Sequence, residues 1–505
     1  LIANRGEIAI RVARTARRMG FETVAVYSEA DRRSEHLAAC DLAYEIGGAA
    51  PKDSYLNVER VIGAARAAGA KFIHPGYGFL SERPHFARAC AEAGLVFVGP
   101  SPESMERMGD KITARRTVDE LGLPRVPGSA GAVATAEEAR KVAREIGFPV
   151  LLKATAGGGG KGMRRVDDEA SIASAFEQAG REALGAFGDG SMYVEKYILE
   201  PHHVEIQVFG DGRGGAIHCG ERECSIQRRH QKVWEESPAP ILNRHPKTRE
   251  KMFEAAVKLA CAVKYAGAGT FEFIVDGAGN FYFLEMNTRL QVEHPVTEWV
   301  TGFDLVAMQL ELASGAMKSL PPVPERRGSS IEVRLYAEDP HHFLPAPGRI
   351  GEIKLPSGPF VRVDTAFTTA GEVSVHYDPM IAKVAVWAPT REEAVGRLRQ
   401  ALDETRVEPP RDSEGRSVGS LKTNLSFLRR LVRCKDAIGG DTTTDLIARN
   451  KDLTQASPGA EALSLESSLA VAIEQLLRDS EAGGSMHEQA PGAWAARAKQ
   501  EGLRI

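Results

Sequence analysis

The 505-residue chain lacks several features that would fix its class at once. Its six cysteines, at positions 40, 90, 219, 224, 261 and 434, form no CxxC pair. Neither a zinc site nor a disulfide framework is suggested, and reduced thiols in a cytoplasmic protein are the expectation. No apolar run is long enough to span a bilayer and no signal peptide is evident, although the chain starts without Met in the strand-like LIANRGE, which reads as a clipped first strand. Excess charge of one sign is also missing. With 64 Lys and Arg against 68 Asp and Glu, the net charge of −4 gives no electrostatic reason to expect nucleic acid or an anionic membrane as the partner. There is no internal repeat. What remains, 43% hydrophobic and 26% charged residues, is ordinary for a globular protein of about two to four domains.

Residues 1–105 alternate short apolar runs (ETVAVYS, KFIHPG, LVFVG) with helical stretches (IAIRVARTARRMG, VERVIGAARAAGA, FARACAEAG), the rhythm of a doubly wound parallel α/β sheet. Residues 106–325 mix helices, hairpins and Gly/Pro turns and read as α+β. Residues 326–450 read as a third domain built on an antiparallel sheet (IEVRLYAED, GRIGEIKLP, VRVDTAF, EVSVHYDPMIAKVAVWA) followed by the helix TREEAVGRLRQALDE. The polar stretch RVEPPRDSEGRSVGS reads as a surface insertion. The tail 451–505 places Leu465, Leu469, Ile473, Leu476 and Leu477 on one helical face and reads as a link to further domains.

KATAGGGGKGM, Lys153 to Met163, sets four glycines, Gly157, Gly158, Gly159 and Gly160, ahead of a lysine. A phosphate-binding P-loop is excluded because Thr155 stands where its first glycine belongs and Gly162 follows Lys161. The dinucleotide fingerprint needs a helix straight after the loop, but MRRV looks extended. The glycines therefore join two strands, as a bland hairpin or as a flap whose amides close over an anion. In FLEMNTRLQVEHP an extended chain would line Glu285, Asn287, Arg289, Gln291 and Glu293 along one face, with Met286, Leu290 and Val292 on the other. A half-solvated strand is the ordinary explanation. Poor strand formers offering acid, amide and guanidinium along one line favour a site instead. A four-residue loop, Gly277 to Asn280, would put Glu272 opposite Glu285, and two facing carboxylates plus the Asn287 amide oxygen suit Mg²⁺. Lys111, Lys153 and the basic cluster around Lys232 add cations suited to phosphate. Together these describe a nucleotide triphosphate laid out for phosphoryl transfer.

IANRGEIA, HPGYGFLSE, MGDK, GGGGKGM, HVEIQV, ERECSIQRRHQK, GTFEF, EMNTRLQVEHPVTE, AEDP and YDPMIAK, in that order over about residues 1–450, resemble the biotin carboxylase component of biotin-dependent acyl-CoA carboxylases of the acetyl- or propionyl-CoA type. The resemblance implies a central ATP-grasp domain between a doubly wound N-terminal domain and a C-terminal domain, in a cytoplasmic homodimer. ATP, Mg²⁺ or Mn²⁺, bicarbonate and carrier-borne biotin follow as ligands, with a biotin carboxyl carrier and a carboxyltransferase as partners.

It further implies that Lys111, Lys153, the glycines, Glu195, Lys196, Ile198, His203, Gln227 and His230 hold the nucleotide. Glu272, Glu285 and Asn287 hold the metal. Arg289, Gln291 and Val292 bind bicarbonate, Glu293 is its base, Lys232 stabilises carboxyphosphate, and Arg334 stabilises the biotin enolate. Ala156 departs from the glycine often found there. Urea carboxylase, pyruvate carboxylase, carbamoyl-phosphate synthase and a non-catalytic nucleotide-binding module are the competing readings. Finally, AMK at Ala316–Lys318 mimics a biotin-attachment signature. Ser319 replaces its second Met, however, and Gly315 reads as a helix C-cap, so Lys318 is expected not to carry biotin.

Overall fold

Helix Gly6–Arg18 forms because Ile8, Ala9, Val12, Ala13 and Ala16 recur at helical spacing and bury one face. It packs beside a parallel sheet. Ile2 bridges Ala25 on one side and His74 on the other, extending strand pairs 24–28 with 42–47 and 72–73 with 96–97. The doubly wound reading of residues 1–105 thus has its strands in place, including a strand over 42–47 that DLAYEIGG had not signalled. The structure is a computed structural model that describes residues 1–154, 163–187, 190–229 and 231–455. Ala156, the glycines 157–160, His230 and the leucine-bearing tail lie outside the described residues, as does the side chain of Lys111.

The centre is one eight-stranded antiparallel sheet. Its strands run in the order Phe281–Asn287, Ala266–Val275, His202–Asp211, Ala216–Arg228, Gln231–Ser237, Ser329–Tyr336, Met380–Ala388 and Val361–Thr365. Residues 326–450 therefore do supply antiparallel strands, but that sheet is not their own. Strand Gln231–Ser237 pairs with Ser329–Tyr336 from Trp234 opposite Val333 to Ser237 opposite Ser330, so the ladder crosses residue 326 without a break. Residues 1–454 form one compact unit. The strands on either side of the glycine run, Val150–Ala154 and Met163–Val166, pair directly with each other, and the first also pairs with Met192–Lys196. The glycine stretch accordingly connects two paired strands, as its flanking sequence requires. The polar stretch at 411–420 closes on itself through an Arg411–Ser417 bridge and is exposed.

The sheet divides its two faces by chemistry. Val204, Ile206 and Val208 alternate with His203, Glu205 and Gln207; the apolar set joins Phe271, Phe273 and Met286 against Met252, Phe253 and Leu259 of helix Pro246–Ala262. Alternation in a strand then forces the polar set onto the opposite face, where it is nevertheless buried.

Candidate active site

On that polar face, strand register builds a row. Arg222 lies opposite Glu205, Glu205 opposite Glu272, and Glu272 opposite Glu285, across four neighbouring strands. Three adjacent carboxylates repel unless cations stand among them. Arg222, wholly buried, donates Nε to Glu205 Oε1 at 2.5 Å and Nη1 to Gln207 and Thr297. Lys232 Nζ reaches Glu205 at 2.7 Å, Glu272 at 3.2 Å and Glu293 at 2.6 Å. Burial would discharge Lys232, but these carboxylates outweigh it and hold its pKa well above the usual range.

Glu272 is the hub. Its Oε1 also accepts from Asn287 Nδ2 at 2.8 Å and Gln291 Nε2 at 3.2 Å, while Oε2 lies 2.9 Å from His203 Nε2 without hydrogen-bond alignment. Glu285, its cross-strand partner, is exposed. Gln227 Nε2 donates to His203 Nδ1 at 2.9 Å. Burial disfavours charge on His203, but Glu272 prevails and raises its pKa.

Strand Phe281–Asn287 ends where the sequence pattern had continued it. Residues 288–292 form an irregular segment, and Glu293 is the residue that precedes helix His294–Thr301. The alternating residues nonetheless converge. Arg289 donates Nη2 to Asn287 at 3.0 Å, Nη1 to Gln291 at 3.0 Å and Nε to Glu82 at 2.9 Å. Glu293 receives Lys232 on Oε1 and Arg334 Nη2 on Oε2 at 3.0 Å. Burial alone would push the Glu293 carboxyl up; Lys232, Arg334 and Arg222 instead hold it well below the usual carboxylate range. Arg334 is further anchored by Glu235.

Beside this cluster lies a cavity of about 640 Å³. Its wall combines charged residues, among them Arg5, Arg289, Arg334 and Asp378, with apolar ones, among them Leu56, Phe79, Phe367 and Met380.

Of the remaining predicted residues, Lys153 and Glu195 meet each other. Lys153 Nζ and Arg115 Nη2 each approach the Glu195 carboxylate at 2.5 Å, and Lys196 donates to the carbonyls of Gly147 and Phe148. Ile198 follows half-buried, and the backbone of Lys111 opens helix Lys111–Glu120. Sequence reasoning gave no role to Glu7, Glu82, Arg115, Glu205, Gln207, Arg222 or Glu235. The period-two pattern of HHVEIQV offered Glu205 and Gln207 alongside His203, whereas Glu82 and Arg222 gain meaning only through contacts far along the chain.

Glu272 and Glu285 offer carboxylate oxygens that suit a hard divalent cation, with Glu272 Oε2 lacking an aligned hydrogen bond from His203, whereas Asn287 turns Nδ2 to Glu272 and Oδ1 to Arg289 and would have to reorient to join them. A three-part chain with a glycine-joined strand pair, a buried acid–lysine row and a segment presenting arginine, glutamine and glutamate defines an ATP-grasp ligase. Family models agree along the chain: "Biotin carboxylase, N-terminal domain" matches residues 1–105, "Carbamoyl-phosphate synthase L chain, ATP binding domain" residues 110–320, and "Biotin carboxylase C-terminal domain" residues 332–449. Biotin carboxylase 2 of Bacillus subtilis is 48% identical over 451 residues, covering 89% of this chain and 99% of that one. The alpha subunit of mouse mitochondrial methylcrotonoyl-CoA carboxylase is 46% identical over 487 residues, 95% of this chain but 65% of the relative. The biotin carboxylase domain of Hydrogenobacter thermophilus 2-oxoglutarate carboxylase, solved with MgADP, ADP and bicarbonate, is 44% identical with a TM-score of 0.80, covering 90% of this chain and 98% of that one. The chain belongs to the biotin carboxylase family and is an ATP-dependent ligase.

Proposed function

We propose that this chain performs the first half-reaction of an acyl-CoA carboxylase, carboxylating carrier-borne biotin with ATP and bicarbonate. The observation that carries this reading is Glu293, a buried carboxylate held ionised between Lys232 and Arg334, of which Arg334 also lines the cavity with its charged and apolar wall residues.

Bicarbonate is a weak nucleophile, so a base must take its proton while cations align it with the γ-phosphate. Glu293 is that base. Arg289, Gln291 and the main chain at Val292 hold the anion, and Lys232 stabilises the carboxyphosphate that results. Carboxyphosphate then decomposes to CO₂ and phosphate. Phosphate takes the ureido proton of biotin, whose enolate is stabilised by Arg334 and Arg289. Glu272, Glu285 and Asn287 would hold magnesium or manganese, which when bound neutralises charge on the nucleotide phosphates. Lys111, Lys153 and His203 serve the nucleotide and its phosphates, Glu195 and Lys196 lie beside the adenine, Ile198, Gln227 and His230 add further nucleotide contacts, and Gly157–Gly160 would belong to a lid over ATP that excludes water.

In this reading residues 1–105, 106–325 and 326–450 are the N-terminal, ATP-grasp and C-terminal domains. The active form is a homodimer. A biotin carboxyl carrier and a carboxyltransferase complete the reaction, supported by the similarity to an acyl-CoA carboxylase alpha subunit. A reducing, cytoplasmic setting accords with six free cysteines. The test is bicarbonate-dependent ADP release with free biotin, urea or no acceptor. Stimulation by biotin alone is expected, and stimulation by urea instead would overturn the reading.

A further inference from the structure

Lys383 is 1% exposed, and none of the roles above uses it. On strand Met380–Ala388 it stands directly opposite Arg334 on one neighbouring strand and Asp364 on the other. Cross-strand partners share a face, so two cations sit side by side, an arrangement tolerated only when each has its own counter-charge. Arg334 turns to Glu235 and the Glu293 side chain. Lys383 turns to Glu7 at 3.2 Å and Asp364 at 3.7 Å, and donates a hydrogen bond at 2.8 Å to the carbonyl oxygen of Val292, the residue immediately before Glu293.

Adjacent cations on adjacent strands thus grip adjacent residues of one segment, one by side chain and one by main chain. The other end of segment 288–292 is fastened to Glu82, which accepts from Thr288 N and Arg289 Nε. Glu7, the counter-ion of Lys383, also accepts from the Tyr77 hydroxyl, so the tether reaches back to the first helix and a wall of the cavity. A buried lysine is expensive to desolvate, and an apolar side chain of similar length would fill the same space. A donor aimed at a main-chain carbonyl is what that cost supports.

We propose that Lys383 is a positioning residue for bicarbonate activation: by fixing the Val292 carbonyl it sets where Gln291, the Val292 main chain and Glu293 meet the anion. The inference rests on the reading of the site given above.

The test uses Lys383→Met, which removes the donor while keeping length, and the double variant Lys383→Met/Glu7→Gln, which also removes the carboxylate left without its cation. Steady-state ADP release is measured against bicarbonate and against ATP, with thermal unfolding as the check of fold. A misplacement of this kind should lower kcat/KM for bicarbonate about 10- to 10²-fold. The KM for ATP should stay within about twofold, because the nucleotide contacts lie elsewhere. Equal losses for both substrates, no loss for either, or failure of both variants to fold would each overturn the proposal, since Lys383 would then serve the fold or nothing at all. Absence of bicarbonate-dependent ADP release in the unsubstituted chain would overturn the functional reading itself, and the inference with it.

Discussion

At Glu293 one carboxylate meets two demands. It must be ionised to accept a proton, yet it is fully buried, and Lys232 and Arg334 reconcile the two by keeping it charged. Glu293→Gln keeps the shape and removes the proton acceptor. Biotin-dependent turnover should fall about 10²- to 10⁴-fold while nucleotide binding persists, as read by ADP release and by calorimetric ATP titration. The acid pair across the hairpin behaves differently at its two members. Glu272 is buried and holds Lys232, Asn287 and Gln291, whereas Glu285 is exposed. Both substitutions to Gln should raise the Mg²⁺ concentration needed for half-maximal rate. Only Glu272→Gln should also lower the unfolding temperature, because it removes one of the three carboxylates gathered around the largely buried Lys232. An unchanged magnesium titration in Glu285→Gln would remove that residue from the metal site.

The elements show which of these features local sequence can announce. Facing carboxylates at 272 and 285 were legible, but the route to them was not. The pairs nearest the turn, Val275 with Phe281 and Phe273 with Phe283, enclose a five-residue loop, and a bulge between Glu272 and Phe273 restores the pairing that a four-residue loop would have given. The alternation from Glu285 to Glu293 was legible too, although the strand stops at Asn287; contacts to Glu82 and Lys383, far along the chain, hold the segment beyond it. Gly315 was fully local. It ends helix Leu305–Ser314 with φ 75°, and Lys318 Nζ donates to its carbonyl at 2.9 Å. Coexpression with a biotin ligase should leave Lys318 unmodified by mass spectrometry. The same helix starts at Asp304, whose carboxylate accepts from Ala307 N and from Arg11. Burial would raise its pKa, but Arg11 takes it down to about 2. A lowered carboxyl pKa contributes stability above the unfolded value and loses it as pH falls through the folded one. Asp304→Asn keeps the cap, so it should cost about 1.5 kcal/mol in urea titrations at pH 6. That difference should shrink between about pH 4 and pH 2.

For the whole molecule, the sequence divided the chain at about 326, where punctuation changes, but the ladder between Gln231–Ser237 and Ser329–Tyr336 carries no local mark of its partner. Strand pairing over about a hundred residues depends on which faces are buried together, and a single strand's pattern does not specify it. The consequence is a molecule whose parts share charges as well as a sheet. Glu298, on helix His294–Thr301, accepts from Arg11 of the first helix at 2.7 Å through Oε1 and from Arg362 of the last sheet strand at 2.7 Å through Oε2. One carboxylate therefore joins the first helix to the last strand of the sheet, from the helix that follows Glu293. Removing it leaves two largely buried arginines with Asp304 and Asp364 as their remaining counter-ions. Glu298→Gln should accordingly destabilise by about 3 kcal/mol, toward the lower end for breaking a buried network. If residues 1–454 unfold as a unit, fluorescence and circular dichroism should both report the lowered transition at the same urea concentration. Separate transitions by the two probes would mean that the shared sheet does not couple the parts, and that Glu298 holds only its immediate neighbours.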